Sequence, residues 1–391
     1  MSLLYGPLAS VDSNLADRVA VLPAARRVPT DARTATEDPT MLTPALRGAA
    51  LAALLMPAVA HAQVERFTLD GAEVGVYNLV GTLRVEGGTG DKVVVEVTRV
   101  GRDAQRLTIQ TGEVRGRPAL RIRYPEERII YPQTGYDSRS SFTVSDDGTF
   151  GDNDRGGWNR GRRVEVRSSG EGLEAHADLH VIVPKGKALF LRHGVGETTI
   201  ENVDGRLDVD VAASRVRATH LRGTMRLDSG SGGVEVTDMT GDLVLDSGSG
   251  GAALDGVRGG KLDLDIGSGS LRGRAIEVRE LSADVGSGGV RLSGVKTPRL
   301  HLETGSGGSD VELLAPIEDV QVEAGSGGVT LRLPASLGAT VDVATGSGGI
   351  DTDFEVKVQR MERHALRGTV GDGRARVRIE AGSGTVRLLK S

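Results

Sequence analysis

Residues 243–273 read LVLDSGSGGAALDGVRGGKLDLDIGSGSLRG, two copies of one unit. In each copy apolar and polar residues alternate up to a Gly-Ser-Gly turn, and the alternation resumes beyond it. Leu243 and Leu245 precede the first turn, and Ala252 and Leu254 follow it. Leu262, Leu264 and Leu271 repeat the arrangement around the second. Period-two alternation puts every second side chain on one face of a half-buried β-strand. Glycine lets the backbone reverse tightly between two such strands.

Working outward, Gly-Ser-Gly recurs at Gly230, Gly248, Gly267, Gly286, Gly305, Gly325, Gly346 and Gly382, at intervals of 18 to 21 residues and finally 36. Gly194-Val195-Gly196 is a weaker copy, and Ala212-Ala213-Ser214 stands midway as a decayed one. A unit of this size cannot bury its apolar face alone, but a stack of units can. The expected fold is therefore all-β: a single-core parallel β-solenoid of ~19-residue coils behind an N-terminal β cap. About ten coils at ~4.8 Å each would extend about 50 Å. An antiparallel meander or sandwich of the same hairpins competes, and the constant register of the apolar positions favours the solenoid. The last interval admits one long coil, or two with Gly371-Asp372-Gly373 as a degenerate turn. Residues 375–380 and 385–388 read as a terminal coil whose Arg376, Arg378 and Arg387 protect an exposed sheet end. At the other end, residues 83–97 imitate the repeat, and 107–110 and 120–124 read as further strands.

Composition agrees with a thin core. The 391 residues include 56 Gly and no Cys, with 38% hydrophobic and 3% aromatic residues. Val, Leu, Ile and Ala must therefore supply the interior. Without cysteine there are no disulfides, thiolate metal sites or Cys nucleophiles. A net charge of −5 argues against a nucleic-acid partner.

The chain divides into five segments. Residues 1–40 are polar and irregular and are expected to be an untranslated or disordered extension, with Met41 as the true start. Residues 41–62 have the layout of a secretory signal peptide: Arg47, an apolar run from Gly48 to Val59, and an Ala60-His61-Ala62 cleavage site before Gln63. Residues 63–130 form the cap and first coils, 131–161 an insertion, and 162–391 the repeats. The expected product is exported, to the periplasm or the cell surface, and does not span the membrane after cleavage.

The insertion is rich in Ser, Asp, Gly and Arg and lacks periodicity, so it reads as a long, flexible surface loop. Its Tyr131, Tyr136, Phe142, Phe150 and Trp158 are the ligand-binding candidates, since a flat apolar face among polar neighbours suits a glycan or a protein. Alternatively these rings cover the solenoid flank. A second pattern is an acid two residues before each turn: Asp228, Asp246, Asp265, Asp284, Glu303, Glu323 and Glu380, broken only by Ala344. Stacked like charges invite a cation, which makes Asp228, Asp246, Asp265 and Asp284 candidate calcium ligands. The plainer reading is a solvated acidic face. Asp152–Gly157 begins like an EF-hand loop but lacks the closing acid. Gly248–Ala253 spells a dinucleotide fingerprint yet lies between two strands. His176 and His180 fall on one strand face and read as surface or packed histidines. No cofactor is implied.

Three stretches carry a family resemblance: residues 67–85, the Ala177–Gly186 strand with its Pro-Lys-Gly step, and the ending from Gly368 to Leu388. With the Gly-Ser-Gly turns, the chain resembles the bacterial putative-adhesin family, exported β-strand-repeat proteins of unknown function. The resemblance implies a β-helix-like fold at the cell envelope and supplies no catalytic residues. The expected function is non-enzymatic: a repetitive surface for adhesion or scaffolding, with an envelope or extracellular protein or a glycan as partner, and self-association through the solenoid ends. The alternatives are a polysaccharide-binding or polysaccharide-active β-helix, and a periplasmic accessory or sensor protein.

Overall fold

The computed structural model of the protein describes residues 64–135, 138–151, 161–314 and 316–391. The expected N-terminal extension and export signal, and the candidates Tyr136 and Trp158, lie outside them.

The repeats stack as parallel rungs. Val234–Ser247 pairs in parallel with Asp204–Ser229 on one side and Ala252–Ile266 on the other, with Leu243 over Met225 and under Leu262. The alternation dictates what each rung buries. Val234, Val236, Met239, Leu243 and Leu245 point inward and are at most 3% exposed, whereas Glu235, Thr240 and Asp246 point out. Burying each such aliphatic side chain stabilises the fold by about 1.5–3 kcal/mol. The exposed ion pairs on the outer faces contribute about 0–1 kcal/mol each, so the inward rows decide stability. They join into one continuous core.

The corners explain the glycines. A Cβ on Gly288 would lie 1.8 Å from the Gly269 carbonyl oxygen of the rung below. No side chain fits there. At the opposite corner the strand runs on through a kink in Asp204–Ser229, Val234–Ser247 and Ala252–Ile266, whereas later rungs break there into two strands. At that corner a Cβ on Gly241, whose φ is +137°, would lie 1.7 Å from the Gly223 carbonyl oxygen. Just before it six successive rungs take one left-handed residue each: Asn202, His220, Asp238, Gly256, Ala275 and Gly294. The two kinks together swing the trailing strand into the next leading strand.

The order of rungs departs from the order of sequence at one place. Asp319–Ala324 pairs in parallel not with Ala339–Thr345 but with Ala375–Ala381, and Ala375–Ala381 pairs in parallel with Ala339–Thr345 on its other side. Val329–Leu333 and Ile350–Thr352 likewise flank Val386–Lys390. The chain lays down the 339–352 rung one place too far out. It then returns through two antiparallel strands, Lys357–Glu362 and Ala365–Val370, and fills the gap it left. Both readings of the 36-residue interval are thereby corrected. So is the assignment of Arg376, Arg378 and Arg387 to an exposed end, since their rung lies inside the stack.

Antiparallel strands close the stack where it would otherwise offer a free parallel edge. Glu73–Gly88 is the first rung, under Ala188–Glu201. Beyond its trailing half come His176–Pro184, parallel, then Val93–Val100 and Val64–Leu69, both antiparallel. Beyond its leading half come Arg117–Arg123 and Thr108–Val114.

The insertion is also corrected within its described residues. Arg139–Val144 pairs antiparallel with Arg162–Arg167, which pairs in parallel with Arg128–Ile130, forming a separate three-stranded sheet. Val144, Val164, Val166 and Ile129 are buried beneath it. The alternation that makes these strands is present in the sequence, but each run is short and interrupted by charge.

Candidate functional site

The insertion meets the solenoid at the Gly-Ser-Gly edge of its first rungs. There the middle corner residue changes. It is Ser in every rung from Ser231 onward, but Val195 and Ala213 in the two before. Val195 is buried and Ala213 packs against the core. Seryl hydroxyls suit an open corner, and apolar residues suit one that is roofed.

The roof is made by residues 131–135 and 138–140. Tyr131 is tied down by its backbone N–H, which donates to the Arg167 carbonyl at 2.8 Å. Its ring meets that of His176 edge-on, with centroids 4.9 Å apart. Pro132–Thr134 then forms a single 3₁₀ turn, and the Thr134 hydroxyl donates to the Tyr131 carbonyl at 3.0 Å. Beneath the roof a cavity of 780 Å³ opens between Tyr131, Gln133 and Arg139 above and Gly196, Glu197 and Arg215 below. Glu197 and Arg215 are register partners in adjacent rungs. Burial pushes the Tyr131 phenol up to about 12, with Asp178 and Glu197 adding to the effect. Tyr131 thus stays a neutral donor and acceptor at any physiological pH. Arg139 is held by the Glu165 carboxylate, which also accepts from Arg167 at 2.7 Å. A volume of this size accommodates a small ligand or the end of a polymer.

The aromatic candidates separate. Tyr131 lines this cavity. Phe150 is buried and meets Tyr77 edge-on at 6.3 Å between centroids, and Phe142 meets Phe150 at 6.2 Å. The expectation of exposed rings is therefore corrected for Tyr131, Phe142 and Phe150. The last two clamp the insertion to an outward face of the first rung, because Tyr77 supplies an apolar ring at an otherwise polar position.

The acid ladder stands in register, and the rung order removes the break that the sequence placed at Ala344. Asp228, Asp246, Asp265, Asp284, Glu303, Glu323 and Glu380 are successive Cα partners, and Ala344 closes the row. Burial, then the neighbouring Asp246, raises the carboxyl groups of Asp228 and Asp265. Among the described residues no three His, Asp or Glu side chains converge to hold a metal ion.

A buried polar cluster was missed. His193 is fully buried, its Nδ1 lies 2.8 Å from the Thr198 hydroxyl, and that hydroxyl is 3.0 Å from the Ser214 hydroxyl. Nearby the Tyr124 hydroxyl donates to Asn78 Oδ1 at 2.9 Å, and Asn78 Nδ2 donates to the Ala177 carbonyl at 2.7 Å. The signal was available: His193 and Asn78 occupy inward positions of the alternation, where a polar side chain calls for hydrogen-bond partners. His180 lies between Glu86 and Glu96, 3.3 Å from each.

No curated protein matches the chain. Two solved structures align with it. One is a putative cell adhesion protein from Clostridium sporogenes, 11% identical, with 84% of this chain and 99% of that one covered and a TM-score of 0.18. The other is a putative adhesin from Parabacteroides merdae, 11% identical, with 83% and 95% covered and a TM-score of 0.39. The family model described as Toastrack DUF4097 matches residues 174–389, which run from the strand His176–Pro184 through the stacked rungs, and the chain belongs to that family.

Proposed function

We propose that the protein is an exported, non-enzymatic binding module of the adhesin type, and that the roofed cavity takes a polyhydroxylated ligand such as the end of a glycan chain. The cavity itself carries this reading. It joins a neutral phenol, the Gln133 amide and the hydroxyls of Thr82, Thr134, Ser138 and Ser140 over a floor of glycine backbone. Alternating hydroxyl and amide groups around an apolar patch suit a sugar ring. Glu197 is the one carboxylate among its described lining residues, whereas glycoside hydrolysis uses a pair.

A glycan array probed with the full chain and with Gln133→Ala and Arg215→Ala tests the proposal. Both side chains are exposed, so the variants should melt with the parent. Specific glycans bound by the parent and lost by both variants support it. An array without specific signal, or cleavage of a bound glycan, overturns it. Export is tested separately by N-terminal sequencing of the secreted protein, which is expected to begin at Gln63.

A further inference from the structure

The turn has a fourth residue whose glycine the stack does not explain in every rung. Cβ atoms on the first and third glycines of one turn, Gly286 and Gly288, would lie 2.4 and 1.8 Å from carbonyl oxygens of the rung below. On the fourth, Gly289, a Cβ would meet nothing closer than the Gly308 oxygen at 3.5 Å, and on Gly308 nothing closer than the Gly328 oxygen at 3.6 Å. Those are ordinary van der Waals distances, and neither residue has a positive φ. Ser270 and Thr385 stand at the equivalent place in other rungs, so a side chain is tolerated there. At Gly289 and Gly308 the glycine keeps space open rather than permitting the fold, whereas a Cβ on Gly251 or Gly328 would press on a neighbouring carbonyl oxygen at 3.0 or 3.3 Å.

The space it opens is a groove of 720 Å³ crossing successive rungs on the trailing-strand side of the Gly-Ser-Gly edge. Arg272 and Arg291 line it, direct register partners on adjacent rungs. Like charges placed opposite each other in a sheet repel, and the one carboxylate in register with the pair is shared with another arginine. Asp310 is the register partner of Arg291, but its carboxylate is engaged by Arg332. Ala253, the partner of Arg272 on the other side, is uncharged. Asp255 is engaged by Arg274. Among the described residues neither Arg272 nor Arg291 has a carboxylate partner. Arg387, farther along the groove, is 3.8 Å from Asp351.

We propose that this groove binds an extended acidic glycan, with Arg272 and Arg291 holding its carboxylate or sulfate groups and Ser270, Thr330 and Thr385 meeting its hydroxyls. The lining contains no aromatic ring on which a nucleic-acid base could stack, and the net charge of −5 opposes general polyanion binding. The site is separate from the roofed cavity and does not depend on it.

The test is calorimetric titration of the full chain with alginate for carboxylate, heparin for sulfate, dextran as the neutral control and single-stranded DNA as the unrelated polyanion. At least one acidic glycan should bind, more weakly as salt is raised, while dextran does not. R272A/R291A removes two charge-assisted contacts and should weaken binding roughly tenfold or more. Gly308→Gln obstructs the floor without changing charge and should also weaken it, with melting unchanged. Gln133→Ala and Arg215→Ala should leave it intact, which separates this site from the cavity. Failure of both acidic glycans to bind, undiminished binding by R272A/R291A or by G308Q, or equal affinity for DNA overturns the proposal.

Discussion

Ala275 illustrates how one residue records the geometry of the stack. It sits at φ +53° in a row where Gly256 and Gly294 occupy the neighbouring rungs. The left-handed conformation costs a non-glycine residue roughly 1–2 kcal/mol, partly offset by the greater freedom of glycine in the unfolded chain. Ala275→Gly should therefore stabilise the protein by about 0.5–1 kcal/mol, read as a higher urea midpoint at unchanged slope. His193 should impose a pH dependence. Burial lowers it from 6.5 to about 4, the Gly81 carbonyl and Asp178 opposing. The unfolded state then takes up a proton that the folded state refuses. Stability is complete above about pH 6.5 and declines as the pH falls towards about 4, by on the order of 3 kcal/mol. Urea unfolding at pH 7 and pH 4.5 checks this, and His193→Gln should flatten most of the difference. An unchanged slope in that variant would place the titration elsewhere.

At the scale of elements, the sequence shows the rung and conceals the threading. Leu243, Leu262 and their equivalents repeat so regularly that strand, turn and buried face could be read directly. The same regularity hides which rung lies on which. Val320 pairs as well with Val377 as it would with Val341, and nothing local distinguishes the two. The roof was illegible for a related reason: Phe150 is buried by Tyr77, seventy-odd positions away. Only the loss of serine at Val195 and Ala213 betrayed it. The threading has a measurable consequence. The Ala375–Lys390 rung buries Val377, Ile379, Val386 and Leu388 between two neighbours. Its removal costs on the order of 6–12 kcal/mol at 1.5–3 kcal/mol per side chain, as much as a whole domain's stability. A chain cut after Gly373 should lose its cooperative melt and yield to protease at once. A stable, merely shortened stack would refute that reading.

Across the molecule, the acid row stands on the leading side of the Gly-Ser-Gly edge and the Arg272–Arg291 pair on its trailing side. The raised carboxyls of Asp228 and Asp265 mean that protonation favours the folded state: their contribution is complete below about 3.8 and is lost as the pH rises past their folded values. At neutral pH the row strains the stack. Asp246 is a cause of both shifts, so Asp246→Asn should raise the melting temperature at low salt, by an amount corresponding to ~0.5 kcal/mol. Raising the ionic strength to about 0.15 M should erase most of that gain, since screening acts within ~8 Å. A gain that persists in high salt would show that the repulsion is not the cause.

The rung that returns to fill its own gap also sets a timetable. A ribosome that stalls before residue 375 leaves a slot open in the sheet, with its aliphatic walls exposed. A chain that ends there keeps that slot unfilled, and the sheet closes only when residues 375–390 are present.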